Sequence, residues 1–244
     1  MKYLNLFFDL LFPAGEYCYN CGSTIKFSEL EYLCCDCLKE INFIDNFCDL
    51  CGREVPIEMR VCSFCRENGR YFDRARAVFL YKGLAKKLLI KFKYYRRKNF
   101  EEFLSAFLKI YFREYFHKSD FDYIIPVPLS SVRRKERGFN QALLLARNLS
   151  GQVSVELLID YLFRVKDSIP LYNLGEKERR SIVRGIFSVR NDKYNPAGSS
   201  VLLIDDIFTT GATVEEISRI LKLKGKVKQV TVLTLATASL ANVD

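Results

Sequence analysis

A single histidine, His117, is all that a chain of 244 residues offers. Nucleophilic catalysis of the Ser-His or Cys-His type is therefore excluded unless it turns on that one residue. Its place at the end of an amphipathic segment suits a surface residue better than a ligand. No run of eighteen apolar residues occurs, so no segment is expected to cross a membrane as a helix. The opening MKYLNLFFDLLFPAGEYC is apolar but short, with Lys2 as its one cation and no small-residue cleavage site. It reads as a packing or docking helix, not a signal peptide. Phe7, Phe8 and Leu11 could touch a membrane surface, although core packing is the commoner fate of such residues.

Acids are missing from residues 82–98, where Lys82, Lys86, Lys87, Lys91, Lys93, Arg96, Arg97 and Lys98 fall together. Arg133, Arg134, Lys135 and Arg137 form a second cluster with Glu136 alone against it. In a chain of net charge +9, two such clusters suit a polyanionic partner, although basic helix faces are often just solvated.

Cysteine is absent after Cys65, and eight of the nine cysteines before that point form C-x-x-C pairs: Cys18/Cys21, Cys34/Cys37, Cys48/Cys51 and Cys62/Cys65. Two thiolates on one tight turn can converge on an ion, and two pairs complete a tetrahedral site. Twelve residues separate the first two pairs and ten the last two, close to zinc-ribbon spacing. Gly22 and Gly52 follow the second cysteine of a pair, where a knuckle needs positive φ. A disulfide framework fits poorly without a secretory signal, and four redox motifs exceed what one active site needs. The expectation is one or two structural zinc ions; sequential pairing is preferred and an interleaved arrangement stays open. Cys35 is left over as a bystander.

From Tyr71 the pattern becomes that of an α/β core, giving a boundary between an N-terminal cysteine module (1–70) and a second domain (71–244). Strands are expected at 75–81, 123–129, 201–204 and 229–237, with amphipathic helices at 83–95, 100–116, 139–150 and 213–225. Their alternation implies a mainly parallel sheet flanked by helices. On such sheets ligands bind beyond the carboxyl ends of strands. VLLI (201–204) delivers Asp205 and Asp206 to that edge, and TTGAT turns the chain into the next helix. The amides of that loop, the hydroxyls of Thr209, Thr210 and Thr213, and the positive helix end make an anion cradle, with Gly211 letting backbone approach a ligand. Lysine and G-x-x-x-x-G spacing are missing, so it is not a Walker A loop. A phosphate beside two carboxylates suits a sugar phosphate, with the carboxylates on vicinal hydroxyls.

VLLIDDIFTTGAT resembles the thirteen-residue signature of type I phosphoribosyltransferases. That resemblance implies phosphoribosyl pyrophosphate as ligand, held through Asp205, Asp206, Thr209, Thr210, Gly211, Ala212 and Thr213, with Mg²⁺ bridging its pyrophosphate and ribose hydroxyls. It also implies a pyrophosphate loop at Pro126, Val127, Pro128 and Leu129, and a type I phosphoribosyltransferase-like fold behind a four-cysteine zinc-ribbon module. More narrowly, FFDLLFP, the cysteine pairs, IPVPLSSVRRKERGFNQA and LLIDDIFTTGAT, in that order, look like the ComF competence family. This resemblance implies a cytoplasmic protein that handles incoming single-stranded DNA in natural transformation at the inner face of the membrane, beside other DNA-uptake proteins. Arg137 and Asn140 offer donors for a phosphate or base edge, and Phe139 is equally suited to stacking or to a core. Lys86, Lys87, Lys91, Lys93, Arg133, Arg134 and Lys135 are the expected phosphate contacts, with Tyr94 and Tyr95 for stacking. The chain departs from the family pattern at Leu171 and Ile182, within a stretch that tends to form a mobile flap in phosphoribosyltransferases, while Leu174, Glu178, Arg179, Gly185 and Phe187 fit it. Two alternatives to DNA handling stand: a true phosphoribosyltransferase acting on a base or other acceptor, and a non-catalytic sensor of the same ligand.

Overall fold

The computed structural model describes residues 17–25, 32–94, 98–166 and 182–239. The expectations for the N-terminal helix, for Tyr95, and for Leu171, Leu174, Glu178 and Arg179 lie outside the described residues. Two short helices close the cysteine pairs, α1 (Cys35–Lys39) and α2 (Ser63–Glu67). Next come β1 (Arg74–Leu80), α3 (Gly83–Tyr94), α4 (Lys98–Tyr115), β2 (Tyr123–Pro126), α5 (Ser131–Arg137) and α6 (Gln141–Val153). The chain continues through β3 (Glu156–Leu157), β4 (Leu162–Arg164), β5 (Phe187–Val189), β6 (Ser200–Phe208), α7 (Ala212–Leu223) and β7 (Gln229–Thr237).

Five strands pair in parallel in the order β1-β7-β6-β2-β3, and β4 pairs antiparallel with β5 in a separate ribbon. Val201 to Ile204 in β6 are all fully buried, because a central parallel strand is covered on both faces. Leu202 and Ile204 point into a core with Leu88 of α3, Phe103 of α4 and Leu145 of α6. Val201 and Leu203 point the other way, into a core with Ile217 and Leu221 of α7. Each such side chain contributes roughly 1.5–3 kcal/mol on burial.

Both cysteine modules pack into these same cores: Cys18 and Cys37 into the first, Cys48, Cys51, Cys62 and Cys65 into the second. Between the modules, residues 42–44 run antiparallel along the outer edge of β1, with Ile44 N–H donating to Val78 O and Leu80 N–H to Asn42 O. That cover removes an edge on which another chain could pair. No helix among the described residues is long and apolar enough to cross a membrane.

The elements agree with the sequence pattern except at three places. The strand at 201–204 continues to Phe208 because Asp205, Ile207 and Phe208 keep their pairing to β7. The strand at 123–129 stops at Pro126, where the chain leaves the sheet. The helix α5 is an addition to the pattern; Ser130 Oγ caps its start by accepting from Arg133 N–H, and Gly138 ends it at φ 76°.

The topology itself places a crevice. From β2 the chain moves outward to β3, and from the adjacent β6 it moves the opposite way to β7. Pro126 lies opposite Ile204 in register, so the proline loop and the acidic pair leave the sheet side by side at a switch point.

Candidate functional site

Asp205 and Asp206 sit where β6 passes the end of β2, and Asp206 N–H donates to Asp205 Oδ1 at 2.9 Å. Lys93, in the last turn of α3, brings its Nζ to 3.4 Å from Asp206 Oδ2. Burial, and then the neighbouring Asp206 charge, push Asp205 well above the usual carboxylate range. The pair is thus poised: one carboxylate is matched by a cation, and the other is costly to ionise until something positive or hydrogen-bonding arrives.

Beyond Phe208 the chain turns sharply. Thr209 is exposed, Thr210 is buried with Oγ1 accepting from Ala212 N–H at 3.4 Å, and Gly211 begins α7 at φ 83°. A Cβ at Gly211 would lie 2.7 Å from a ring carbon of Phe208. The glycine is therefore required by its own backbone and by Phe208, whatever ligand binds. Gly211 offers no side-chain cap to α7, so the first-turn amides and the helix dipole are directed at the space outside.

The segment Arg137 to Gln141 works as a strap for this site. Asn140 Oδ1 accepts from Ala142 N–H and so caps α6, while its Nδ2 donates to Val127 O at 3.0 Å and tethers the loop of Val127, Pro128 and Leu129. Gln141, almost fully buried, accepts from Arg137 Nη1 at 3.1 Å and donates to Lys93 O at 3.4 Å. Phe139 is buried with its ring centroid 6.2 Å from that of Phe92, which settles it as a core residue. Arg137 is half-buried; burial draws its pKa down and Asp206 counters this. Asn140→Ala removes both the cap and the tether, and should cost about 0.5–2 kcal/mol. Thermal unfolding should register this as a lower midpoint, whereas Asn140→Asp, which keeps the cap, should lose less.

The expected nucleic-acid residues divide into two groups. Lys86, Lys87 and Lys91 are exposed on α3, where Ile90 and Tyr94 are exposed too, Tyr94 by 68%. Arg134 and Lys135 are exposed on α5 and Arg133 is half-buried. Lys93, Arg137 and Asn140 instead turn toward the acidic pair and the proline loop. Sequence reasoning missed this because charge clustering is blind to which side of a helix a cation faces; Lys93 falls among the buried positions Leu89 and Phe92, which is the signal that could have separated it from Lys91.

The cysteines gather as two sets, Cys18/Cys21/Cys34/Cys37 and Cys48/Cys51/Cys62/Cys65, with the sulfurs of each set within 4.8 Å of one another. This is the sequential grouping. Two thiolates bound about 2.3 Å from one tetrahedral ion are about 3.8 Å apart. Cys51 and Cys62 are at 3.8 Å and Cys21 and Cys34 at 3.6 Å, so each set has the dimensions for zinc. Donors already face the sulfurs: Asn20 Nδ2 reaches Cys37 Sγ at 3.2 Å, and Cys62 N–H reaches Cys48 Sγ at 3.4 Å. A hydrogen bond to Ser23 lowers the Cys21 thiol to about 6, and thiol donors from Cys51 and Cys65 hold Cys48 far below the usual range. Burial pushes Cys37 up to about 12, and Cys48 pushes Cys65 up to about 11. Each set is thus primed with one thiolate. Cys35 is exposed and belongs to neither.

Comparison with known proteins places the chain beside competence proteins. It is 30% identical to competence protein F of Haemophilus influenzae over 91% of this chain and 96% of that protein. It is 31% identical to competence protein ComFC of Bacillus subtilis over 93% and 86%. The DNA utilization protein YhgH of Escherichia coli O157:H7 is 26% identical over 79% and 85%. No family model matches the chain. Among solved structures, a purine phosphoribosyltransferase from Pyrococcus horikoshii overlaps at 18% identity over 55% of this chain and 69% of that one, with a TM-score of 0.34. The adenine phosphoribosyltransferase of Saccharomyces cerevisiae overlaps at 18% identity over 57% and 71%, with a TM-score of 0.37. At such scores the overlaps add no weight of their own; the fold stands on its parallel sheet flanked by helices, with the cysteine modules before it.

Proposed function

Because this chain belongs to the ComF family of competence proteins, we propose that it handles incoming single-stranded DNA during natural transformation, at the cytoplasmic face of the membrane, and binds phosphoribosyl pyrophosphate with Mg²⁺. One observation carries the ligand assignment: the acidic pair and the phosphate loop after β6 leave the sheet beside the proline loop after β2. In this reading the loop from Thr209 to Thr213 grips the 5′-phosphate, Asp205 and Asp206 hold the ribose hydroxyls, and residues 127–129 meet the pyrophosphate. Mg²⁺ would neutralise the pyrophosphate, and the hard carboxylate oxygens of the pair suit it. Zinc in the two cysteine sets is structural.

For DNA, the exposed cations are the relevant set. Lys86, Lys87, Lys91, Arg134 and Lys135, with Arg133 at their margin, would bind phosphates, and Tyr94 offers a ring on which a base can stack. Reversing Arg133, Arg134 and Lys135 to glutamate should weaken single-strand binding and flatten its salt dependence, by roughly 0.7 in log–log slope for each phosphate no longer neutralised. A triple variant with the parent's affinity and slope would make α5 a solvated face.

The test of the whole reading is to incubate the protein with labelled phosphoribosyl pyrophosphate, Mg²⁺ and candidate acceptors, single-stranded DNA included. Saturable binding of both ligands is expected. Label transferred to a free base, with no retention of DNA at physiological salt, would overturn DNA handling in favour of transferase activity.

A further inference from the structure

The two cysteine knuckles are built alike except at one position. Tyr17 bridges Thr24 in the first, and Phe47 bridges Glu54 in the second. Cys18 N–H donates to Ser23 O and Cys48 N–H to Arg53 O, while Gly22 and Gly52 donate to Cys18 O and Cys48 O. Ser23 and Arg53 therefore occupy the same place, two residues after the second cysteine. Ser23 is exposed and accepts from Cys21 Sγ. Arg53 is 1% exposed and spends its side chain elsewhere.

Its guanidinium carbon lies 5.7 Å from the ring centroid of Phe64 and 5.4 Å from that of Phe208. Nη2 donates to Thr209 O at 2.9 Å, and neither Nε nor Nη1 has a hydrogen-bond partner among the described residues. A permanently charged group this deep is expensive to keep without an anion nearby. Two anions fit the position. A divalent ion held by four thiolates carries a net double negative charge, and Arg53 follows Cys51 by two residues. The other is a phosphate on the loop whose first carbonyl Arg53 holds. A donor on Thr209 O polarises the peptide whose other end is the Thr210 amide, which becomes a stronger donor to a bound anion. The knuckle has no freedom to drift, because a Cβ at Gly52 would collide with the backbone of Ala75 and Arg76 in β1. Ala75 N–H also donates to Leu50 O at 2.6 Å.

We propose that Arg53 is a positioning residue that couples the second cysteine set to the phosphate loop, so that 5′-phosphate affinity depends on metal in that set. The proposal rests on the reading of residues 209–213 as a phosphate loop. Arg53 touches the loop from behind and acts through it.

The test is calorimetric titration of the full zinc-loaded chain, and of the Arg53→Met and Arg53→Lys variants, with two probes. Ribose 5-phosphate reports the loop at 209–213, and Mg²⁺-pyrophosphate reports the loop at 127–129. Arg53→Met should weaken ribose 5-phosphate about tenfold or more, the scale of a lost charge-assisted hydrogen bond. Pyrophosphate affinity and zinc content should stay at parental values, and Arg53→Lys should fall between parent and Met. Unchanged ribose 5-phosphate affinity in Arg53→Met would overturn the coupling, as would an equal loss for both probes. If Arg53→Met does not fold, Arg53→Lys decides alone, with parental ribose 5-phosphate affinity counting against the proposal. A parent chain that binds neither probe would instead remove the phosphate-loop reading itself.

Discussion

Replacing the acidic pair, Asp205→Asn with Asp206→Asn, should abolish Mg²⁺-dependent binding of phosphoribosyl pyrophosphate, and Asp205→Asn alone should at the same time raise thermal stability. The two effects share a cause. Burial and the Asp206 charge raise the Asp205 pKa in the folded chain above its unfolded value. The folded state therefore holds that proton more tightly than the unfolded state. The resulting stability is present in acid and is lost as pH rises through the folded pKa. Asparagine has no proton to lose, so its advantage over the parent should vanish in acid and grow toward neutral and alkaline pH. Each kcal/mol recovered should appear as about 2–4 °C in the melting midpoint of a chain this size. Melting curves across that range check the sign; an Asp205→Asn variant less stable than the parent at alkaline pH would mean that the carboxylate is well accommodated. Asp206 is a poorer choice for the stability arm, because its removal leaves Lys93 without its 3.4 Å partner.

Loss of zinc from the second cysteine set should be the more damaging of the two metal losses. Structural zinc contributes about 10–16 kcal/mol in small zinc peptides, comparable with the whole stability of a domain. The second set lies inside the core that also holds Leu203, Val230 and Val232 of the sheet, and its knuckle carries Arg53. In the first set Cys21 is exposed and Cys34 half-exposed. Cys51→Ser with Cys62→Ser should therefore lower the melting midpoint by about 10 °C or more, on the scale of several kcal/mol, and reduce elemental zinc from about two to about one per chain. Cys21→Ser with Cys34→Ser should also remove one zinc, with a smaller shift. Equal shifts for the two double variants would contradict the unequal burial as the cause.

Much of this is legible in the sequence because it is local. C-x-x-C spacing needs no tertiary context to place two sulfurs on one turn, and VLLIDDIFTTGAT carries strand, carboxylates and loop in one unbroken stretch. Gly22 and Gly52 take the positive φ that the knuckle demands, at 75° and 69°. What escapes a reading of the sequence is set by packing between distant segments. Gly211 suggests ligand access, yet Phe208 and its own φ already require it. Arg53 is 156 residues from the carbonyl it holds, and nothing in a C-x-x-C-G-R stretch says which way that arginine points. Asn140 offers the same donors to DNA or to Val127 O, and only the fold shows that both ends of its amide are already engaged. The Glu216 carboxylate that accepts from Gly185 N–H at 2.8 Å likewise ties the base of the β4–β5 ribbon to α7 across 31 residues.

The central claim is that the crevice between β2 and β6 is a phosphoribosyl pyrophosphate site. The most direct measurement is a calorimetric titration of phosphoribosyl pyrophosphate into the zinc-loaded chain with and without Mg²⁺. The account predicts saturable one-to-one binding that requires Mg²⁺ and disappears in the Asp205→Asn, Asp206→Asn variant. Absence of binding to the well-folded parent chain, or binding of equal strength in that variant, would contradict it.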